Sequence, residues 1–471
     1  MSQPIRYQAH HPTKQNGQAL VLGLSLCAVA ILGWLLSFNI GQLVHDKLSL
    51  LRAADAAILS AATIQARAMN AHAYLNRAQL AHQLAMTHLV TLASQERLRA
   101  MQARQSTIQN PPAFLIGMFF GPTYASAYLS ARAGGLDDTL VLQQLEDAFG
   151  KHDGLIQDVI ARTRQDLLQN LHALRKQVFE TVLIHNVGDN GSAMRGTSLQ
   201  QLGLTYQTEH DELDKSLREL NAQSPEWQSA LSGVIKPYGF LRHRDHTKHN
   251  YWAVNVRCPH KRHALRRRGH TDISQDGVYE ASDSLSFHAV RSNKIIGCYE
   301  REYPMGWAVV TTPGKMTGQT IDSSSSQNFA QQSFWRWVAK QSIPGWDIFN
   351  GSDNQLASQW AHMRPIRWSM KRAVGYADLT SQRDKPLYLE VQIQQSANKL
   401  GMIHAGSRIQ TLGRFNVQAL NGGDSIQAHV AAETYFERPE PRKDQQFEQP
   451  SLFQPYWNAR LVRVQSKFEG F

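Results

Sequence analysis

Apolar residues are spread very unevenly along this chain. They dominate from Gln18 to Ile40, and no Asp, Glu, Lys or Arg occurs between Lys14 and Asp46. About 20 apolar residues suffice to cross ~30 Å of hydrocarbon as a helix, whereas a buried core helix is usually shorter and carries charge on one face. Asn39 and Gln42 mark the far edge, where polar side chains reach headgroups. A cleaved signal peptide has a shorter apolar core and a small-x-small exit. Here the exit, Ser37 to Gly41, offers no Ala-x-Ala, so a retained anchor is expected. Arg6 and Lys14 precede the span, while Lys47 and Arg52 follow it mixed with Asp46 and Asp55. With a short leading tail and a long downstream part, this predicts the N-terminus inside and the bulk outside. In a Gram-negative cell that means an inner-membrane anchor with a periplasmic body.

Beyond the anchor the pattern becomes helical. Val44 to Ala103 lacks proline and is crowded with Ala, Leu, Gln, Arg and Met, all strong helix formers. A helix running out of the membrane into solvent is expected, ended by Asn110-Pro111-Pro112, because prolines cannot donate backbone hydrogen bonds. Phe114 to Phe120 is too short to span a bilayer. It either returns to the membrane surface or, the better reading, fills a local core. Tyr124 to Ala133, Asp137 to Phe149 and Ile156 to Val182 read as helices. In the last of these, Ile160, Leu167, Leu171, Leu174 and Val178 form a stripe suited to packing on the Ala-rich helix. Gly188 to Ser192 is turn-rich, and Glu209 to Asn221 reads as a charged helix.

From Lys236 onward strand-like pieces alternate with aromatic and glycine-rich stretches: Tyr251 to Val256, Trp307 to Val310, Leu387 to Ile393, Ser407 to Leu412 and Ser425 to Tyr435. Ser323 to Ser326 reads as a low-complexity loop, and Phe334 to Trp346 as an aromatic helix end. The expected fold is α+β. It comprises a tail at 1–17, a transmembrane anchor at 18–40, a helical stalk region at 41–185, a linker and helix at 186–235, and an α+β domain at 236–471.

Composition narrows the partners. The 471 residues are 42% hydrophobic and 18% charged, with a net charge of +11. That balance suits a folded chain with affinity for anionic surfaces such as headgroups or cell-wall polymers. The expected location disfavours nucleic acid. Of three cysteines, Cys27 lies in the span, while Cys258 and Cys298 lie downstream. An oxidising compartment lets those two pair, the alternative being two buried thiols.

The stretch from Arg242 to His270 is the one candidate for site chemistry, with His243, His246, His249, Cys258, His260, His263 and His270. A Cys-x-His-x-x-His cluster offers metal ligands in type, but its spacing matches no zinc pattern and the surrounding Lys and Arg oppose a dication. A solvated basic loop is the better reading. Its Arg262, Arg266, Arg267 and Arg268 suit an acidic or phosphate-bearing partner. No phosphate-binding loop or nucleophile elbow occurs, so neither a cofactor nor an enzymatic activity is expected.

Gly17-Gln18-Ala19-Leu20 opens the span behind a basic leader. After it comes Leu50-Leu51-Arg52-Ala53-Ala54-Asp55-Ala56-Ala57-Ile58-Leu59-Ser60-Ala61-Ala62. Over roughly residues 14 to 65, and through Gly17 and the Ala53, Ala54, Asp55, Ala56, Ala57 run above all, the chain resembles the TadE/TadG-like proteins of tight-adherence (Flp) pilus assembly. The closing stretch from Leu452 to Leu461 is similar to the tail of some larger members. The resemblance implies a membrane-anchored structural or assembly component of a pilus or related secretion apparatus, with other pilus or secretion proteins as partners. Pilins carry a glutamate five residues after the processed glycine; after Gly17 that position is Leu22, which implies an uncleaved accessory. Two alternatives stay open: a membrane-tethered periplasmic enzyme, such as a metal-dependent hydrolase using the histidine stretch, and a cell-wall-binding anchor protein.

Overall fold

The computed structural model describes residues 18–187, 198–213, 217–219, 225–241, 244–273, 277–293, 297–312, 365–379, 385–396 and 425–464, less 254, 372 and 445. One helix, α1 (Gln18–Thr107), holds it together. Its 90 residues extend about 135 Å at ~1.5 Å per residue. The apolar segment and the Ala-rich segment are therefore one uninterrupted element, which stops just before Asn110-Pro111-Pro112, as expected.

After α1 come α2 (Ala113–Phe120), α3 (Pro122–Ser130), α4 (Thr139–Gly154) and α5 (Arg162–Val187), the last two joined through a π-helical turn at Leu155–Ala161. A further helix, α6, spans Pro225–Ile235. The strands form three sheets. The first is antiparallel, in the order β1 (Leu204–Asp211), β9 (Leu387–Ser396), β10 (Ser425–Phe436), β11 (Trp457–Val462). The second runs β3 (His246–His249), β4 (Ala264–Ile273), β5 (Tyr279–Asn293), β6 (Gly297–Thr311), β7 (Ile366–Arg367), with only β6 and β7 parallel. A two-stranded ribbon joins β2 (Leu217–Glu219) to β8 (Ala377–Leu379). The fold is α+β.

Beyond Leu50, α1 is not a solvated stalk. Ala53, Ala54, Ala57, Ile58, Ala61 and Ala62 are buried against Phe179 and Leu183 of α5 and against Leu389, Val391, Ala428 and Val430 of the first sheet. Small side chains permit this close approach on more than one side. Farther along, a polar stripe is buried as well: Gln65, His72, Asn76, Gln79, Gln83, Thr87, Thr91 and Ser94. Several of these residues act as surrogate peptide groups. Asn70 donates to the Trp457 carbonyl and accepts from its N–H, both at 2.9 Å. Asn76 does the same for Ala377, at 2.7 and 3.1 Å, and also donates to the Leu452 carbonyl at 2.7 Å. Amide-rich helical positions read as solvated in the sequence, whereas here they satisfy backbone groups of the packed strands.

Other expectations also shift. The α5 seam is built from Arg164, Leu171, Arg175, Phe179 and Leu183, while Leu174 is 44% exposed and Val178 only half-buried. Two buried arginines break the apolar periodicity, and both reach α1: Arg164 donates to Gln79 and Arg175 to Gln65. Glu209 to Asn221 is not one helix. Its start completes β1, held by register against β9, and 217–219 forms β2. Tyr251 to Val256 is loop rather than strand, with turn-forming Asn250 and Asn255 at its ends. The expected elements at Ser407 to Leu412, Ser323 to Ser326 and Phe334 to Trp346 lie outside the described residues. Phe114 to Phe120 is α2; Leu115, Ile116 and Phe120 join the core around Phe287, while Phe114 and Met118 remain exposed.

The surrogate-peptide role of Asn76 has a measurable consequence. Asn76→Leu removes three buried hydrogen bonds and is expected to lower stability by about 2–4 kcal/mol, read by denaturant unfolding of the detergent-solubilised protein. A loss below about 1 kcal/mol would mean that these bonds contribute little.

Candidate functional site

The first candidate surface is the start of α1. Leu20, Leu22, Leu24, Leu26, Val29 and Trp34 are each 62–70% exposed. Among the described residues none packs on the most apolar window, and the helix is long and apolar enough to cross a membrane. Burial begins at Asn39, only 7% exposed. The family-like run follows. Ala53, Ala54 and Ala57 are core residues, Ala56 is half-buried, and partial burial lifts the Asp55 carboxyl above its ordinary range. The run therefore packs within the chain. Gly17 lies outside the described residues.

A cleft of about 290 Å³ opens between α5, β1 and β9. His172, Arg175, Lys176, Phe179, Tyr206 and Asp211 line it. Its charges are largely committed to one another. Arg175 ion-pairs with Asp211 and donates to Gln65. The Tyr206 hydroxyl donates to Glu180 at 2.8 Å, and burial, with that bond, pushes its ionisation upward. The cleft is thus a braced junction between α1, α5 and the first sheet.

The basic, histidine-rich stretch contributes strands β3 and β4 at the edge of the second sheet, and between them the described residues of 250–263 form a mostly exposed loop, as expected. His246 pairs with Arg267 and Thr247 with Arg266 across β3 and β4. Its described histidines do not converge, and His243 lies outside the described residues. His263 is core: its ring stacks on Phe119 with centroids 3.9 Å apart, and its Nδ1 accepts the Val290 N–H at 3.1 Å. His246, His249 and His260 are exposed, and His270 meets the Ser282 hydroxyl at 3.0 Å. Among the described residues no three His, Cys, Asp or Glu side chains come together to hold a metal. Arg244 is structural, clamped on Asp283 at 2.8 Å and on Thr271. Arg267 and Arg268 are exposed, Arg266 is half-buried, and Arg262 donates to the Pro259 carbonyl at 2.8 Å. Beside them the loop at 251–256 exposes Tyr251, Trp252 and Val256. Sequence periodicity missed this exposure; the flanking asparagines were its one signal.

Cys258 is buried and disulfide-bonded, and Cys27 is free. The remaining cysteine, Cys298, is the partner expected from sequence; its side chain lies outside the described set. Labelling under denaturing, non-reducing conditions should modify Cys27 alone, with all three thiols reacting after reduction. Full labelling of Cys258 and Cys298 without reductant would exclude the bond.

Two histidines on α1, His72 and His82, have pKa values lowered by their surroundings. His72 is fully buried, and neither ring nitrogen has a partner among the described residues. Burial, then the Arg164 charge, draws its pKa down from 6.5 to about 4. His82 and His152 place their Nδ1 atoms 2.8 Å apart, so one donates to the other, and burial followed by the neighbouring ring lowers His82. Below pH 6.5 the unfolded chain takes up a proton at residue 72 that the folded chain refuses until about pH 4. Stability should therefore fall across that window by about 3 kcal/mol from this residue. His72→Leu should flatten the fall, measured by unfolding at stepped pH. An unchanged pH profile would assign the acid sensitivity elsewhere.

Compared with protein-family models, with curated proteins and with solved structures, the chain matches none.

Proposed function

We propose that the chain is a single-pass membrane protein acting as a structural or assembly component of a Flp/tight-adherence pilus or a related secretion apparatus. One observation carries the structural part of this reading: α1 is continuous from its fully exposed apolar start to the buried spine of the body. A helix that is apolar and bare at one end and encased at the other transmits position and load between bilayer and body without a hinge. The resemblance of the Ala53–Ala57 run to TadE/TadG-like proteins supports the pilus part. The anchor sits in the inner membrane with its N-terminus cytoplasmic and its body periplasmic, and the role is scaffolding rather than catalysis. The hydrolase alternative finds no ligand cluster among the described residues to support it.

Topology and role are tested together. Protease added to spheroplasts should degrade everything beyond about Asp46 and leave a membrane-embedded stub. A protected body, or a protein soluble in the periplasm, would overturn the topology. Deleting the gene should reduce filament number or adhesion, and Leu26→Arg should mimic the deletion, since a mid-span arginine costs about 2.5–3.5 kcal/mol on insertion scales. Normal piliation in the deletion strain would remove the pilus reading while leaving the anchor intact.

A further inference from the structure

The far end of the body carries a surface that the anchor and the braced core do not use. α1 ends at Thr107, and its span from Asn39 places this end about 100 Å along the helix from the apolar segment. Met101 shares a core there with Leu265 of β4 and with Leu115, Ile116 and Phe120 of α2. Beyond that core, apolar side chains point outward: Phe114 is 62% exposed, Met118 51%, Tyr251 79% and Val256 95%. Trp252 ties the two segments together, its ring 6.3 Å from that of Phe119. The surface is built rather than frayed. Asn250 donates to the Trp252 carbonyl at 2.7 Å and accepts from the His263 N–H at 2.7 Å, and Cys258 within the loop is disulfide-bonded.

Positive charge surrounds these aromatics. Between residues 244 and 270, leaving aside Arg244, which pairs with Asp283, the described residues hold seven Lys or Arg against one Asp, so the patch is largely one-signed. Lys248 holds its ammonium 5.3 Å from the Tyr251 ring centre, and Arg257, Arg267 and Arg268 are exposed. Exposed Tyr and Trp beside Lys and Arg form the combination that seats at a bilayer interface, where rings enter the headgroup layer and cations meet anionic lipid.

We propose that this distal tip docks on an anionic lipid bilayer. Taken with the anchor reading, on which only this clause rests, the protein spans two lipid surfaces about 100 Å apart, the length of the encased helix. A membrane contact of this kind is driven by charge and by shallow insertion of Tyr251, Trp252 and Val256. It weakens with salt.

The test uses the full chain reconstituted in phosphatidylcholine nanodiscs and floated with vesicles of phosphatidylcholine alone or with added phosphatidylglycerol. Capture by the anionic vesicles should exceed capture by neutral ones by about tenfold or more, as expected for several cations each contributing roughly 1 kcal/mol near the surface. It should collapse in high salt. Tyr251→Ser/Val256→Ser should lose most of it while melting like the parent, because both positions lie outside the core. Arg267→Gln/Arg268→Gln should weaken it without abolishing insertion. No capture, equal capture of neutral vesicles, or capture indifferent to the Tyr251 and Val256 changes would overturn the proposal and leave the patch to a protein or wall polymer. A chain that fails to enter the nanodiscs would refute the anchor alone, and the same flotation of the chain in solution then decides the tip.

Discussion

The structure depends on how much backbone can crowd around one helix. From Leu50 onward α1 is covered by α4, α5 and two sheets, so its side chains must be slim and must answer every strand group turned toward them. Alanine meets the first demand where the four-stranded sheet packs. Asn70 and Asn76 meet the second by offering one carbonyl and one amide each to Trp457 and Ala377, as a neighbouring strand would. A buried peptide group without a partner costs about as much as a lost hydrogen bond. These side chains are therefore a condition of the packing. Arg164 and Arg175 obey the same logic from the α5 side, since a buried guanidinium is costly without acceptors, and Gln79, Gln65, Asp211 and the Gly375 carbonyl take up hydrogen bonds from their terminal nitrogens.

This constraint also decides what could be read from the chain beforehand. The apolar stretch and the prolines that stop α1 are local signals and were legible. β9 and β10 were legible too, since Leu389, Val391 and Ile393, and Ile426, Ala428 and Val430, alternate with polar positions. The burial of α1 was not, because alanine and glutamine carry little hydropathy and their environment is set by strands nearly 400 residues away. The α5 seam was legible in part: Ile160 and Leu171 are buried and α5 packs on α1 as expected, but its arginines look solvent-facing until their α1 partners are known. β1 failed because Glu209 to Asp211 takes its conformation from register with β9.

At the tip the division was similar. Arg262 and Arg266 to Arg268 stood out as charge. That they flank an aromatic loop follows from β3–β4 pairing and from His263 stacking on α2, neither of which is local. The histidines that drew attention as metal ligands turned out to be distributed between core and surface, and sequence proximity alone had grouped them.

The encased half of α1 bears on the anchored half as well. If the apolar segment lies in a bilayer, sliding it inward by one turn would carry His45, Asp46 and Lys47 toward hydrocarbon, at a cost of several kcal/mol. Sliding it outward by a turn would strip Leu36 to Ile40 of lipid. A flexible linker would let the body escape the consequences of either shift. Here Asn39 is already covered and Leu43 packs on the first core, so the body begins within a turn of the apolar segment's end. Apolar segment and body consequently share one register. On the proposed anchor and scaffold reading, the height of the tip above the membrane is set by helix length rather than by a hinge, which converts a position in the bilayer into a position about 100 Å away.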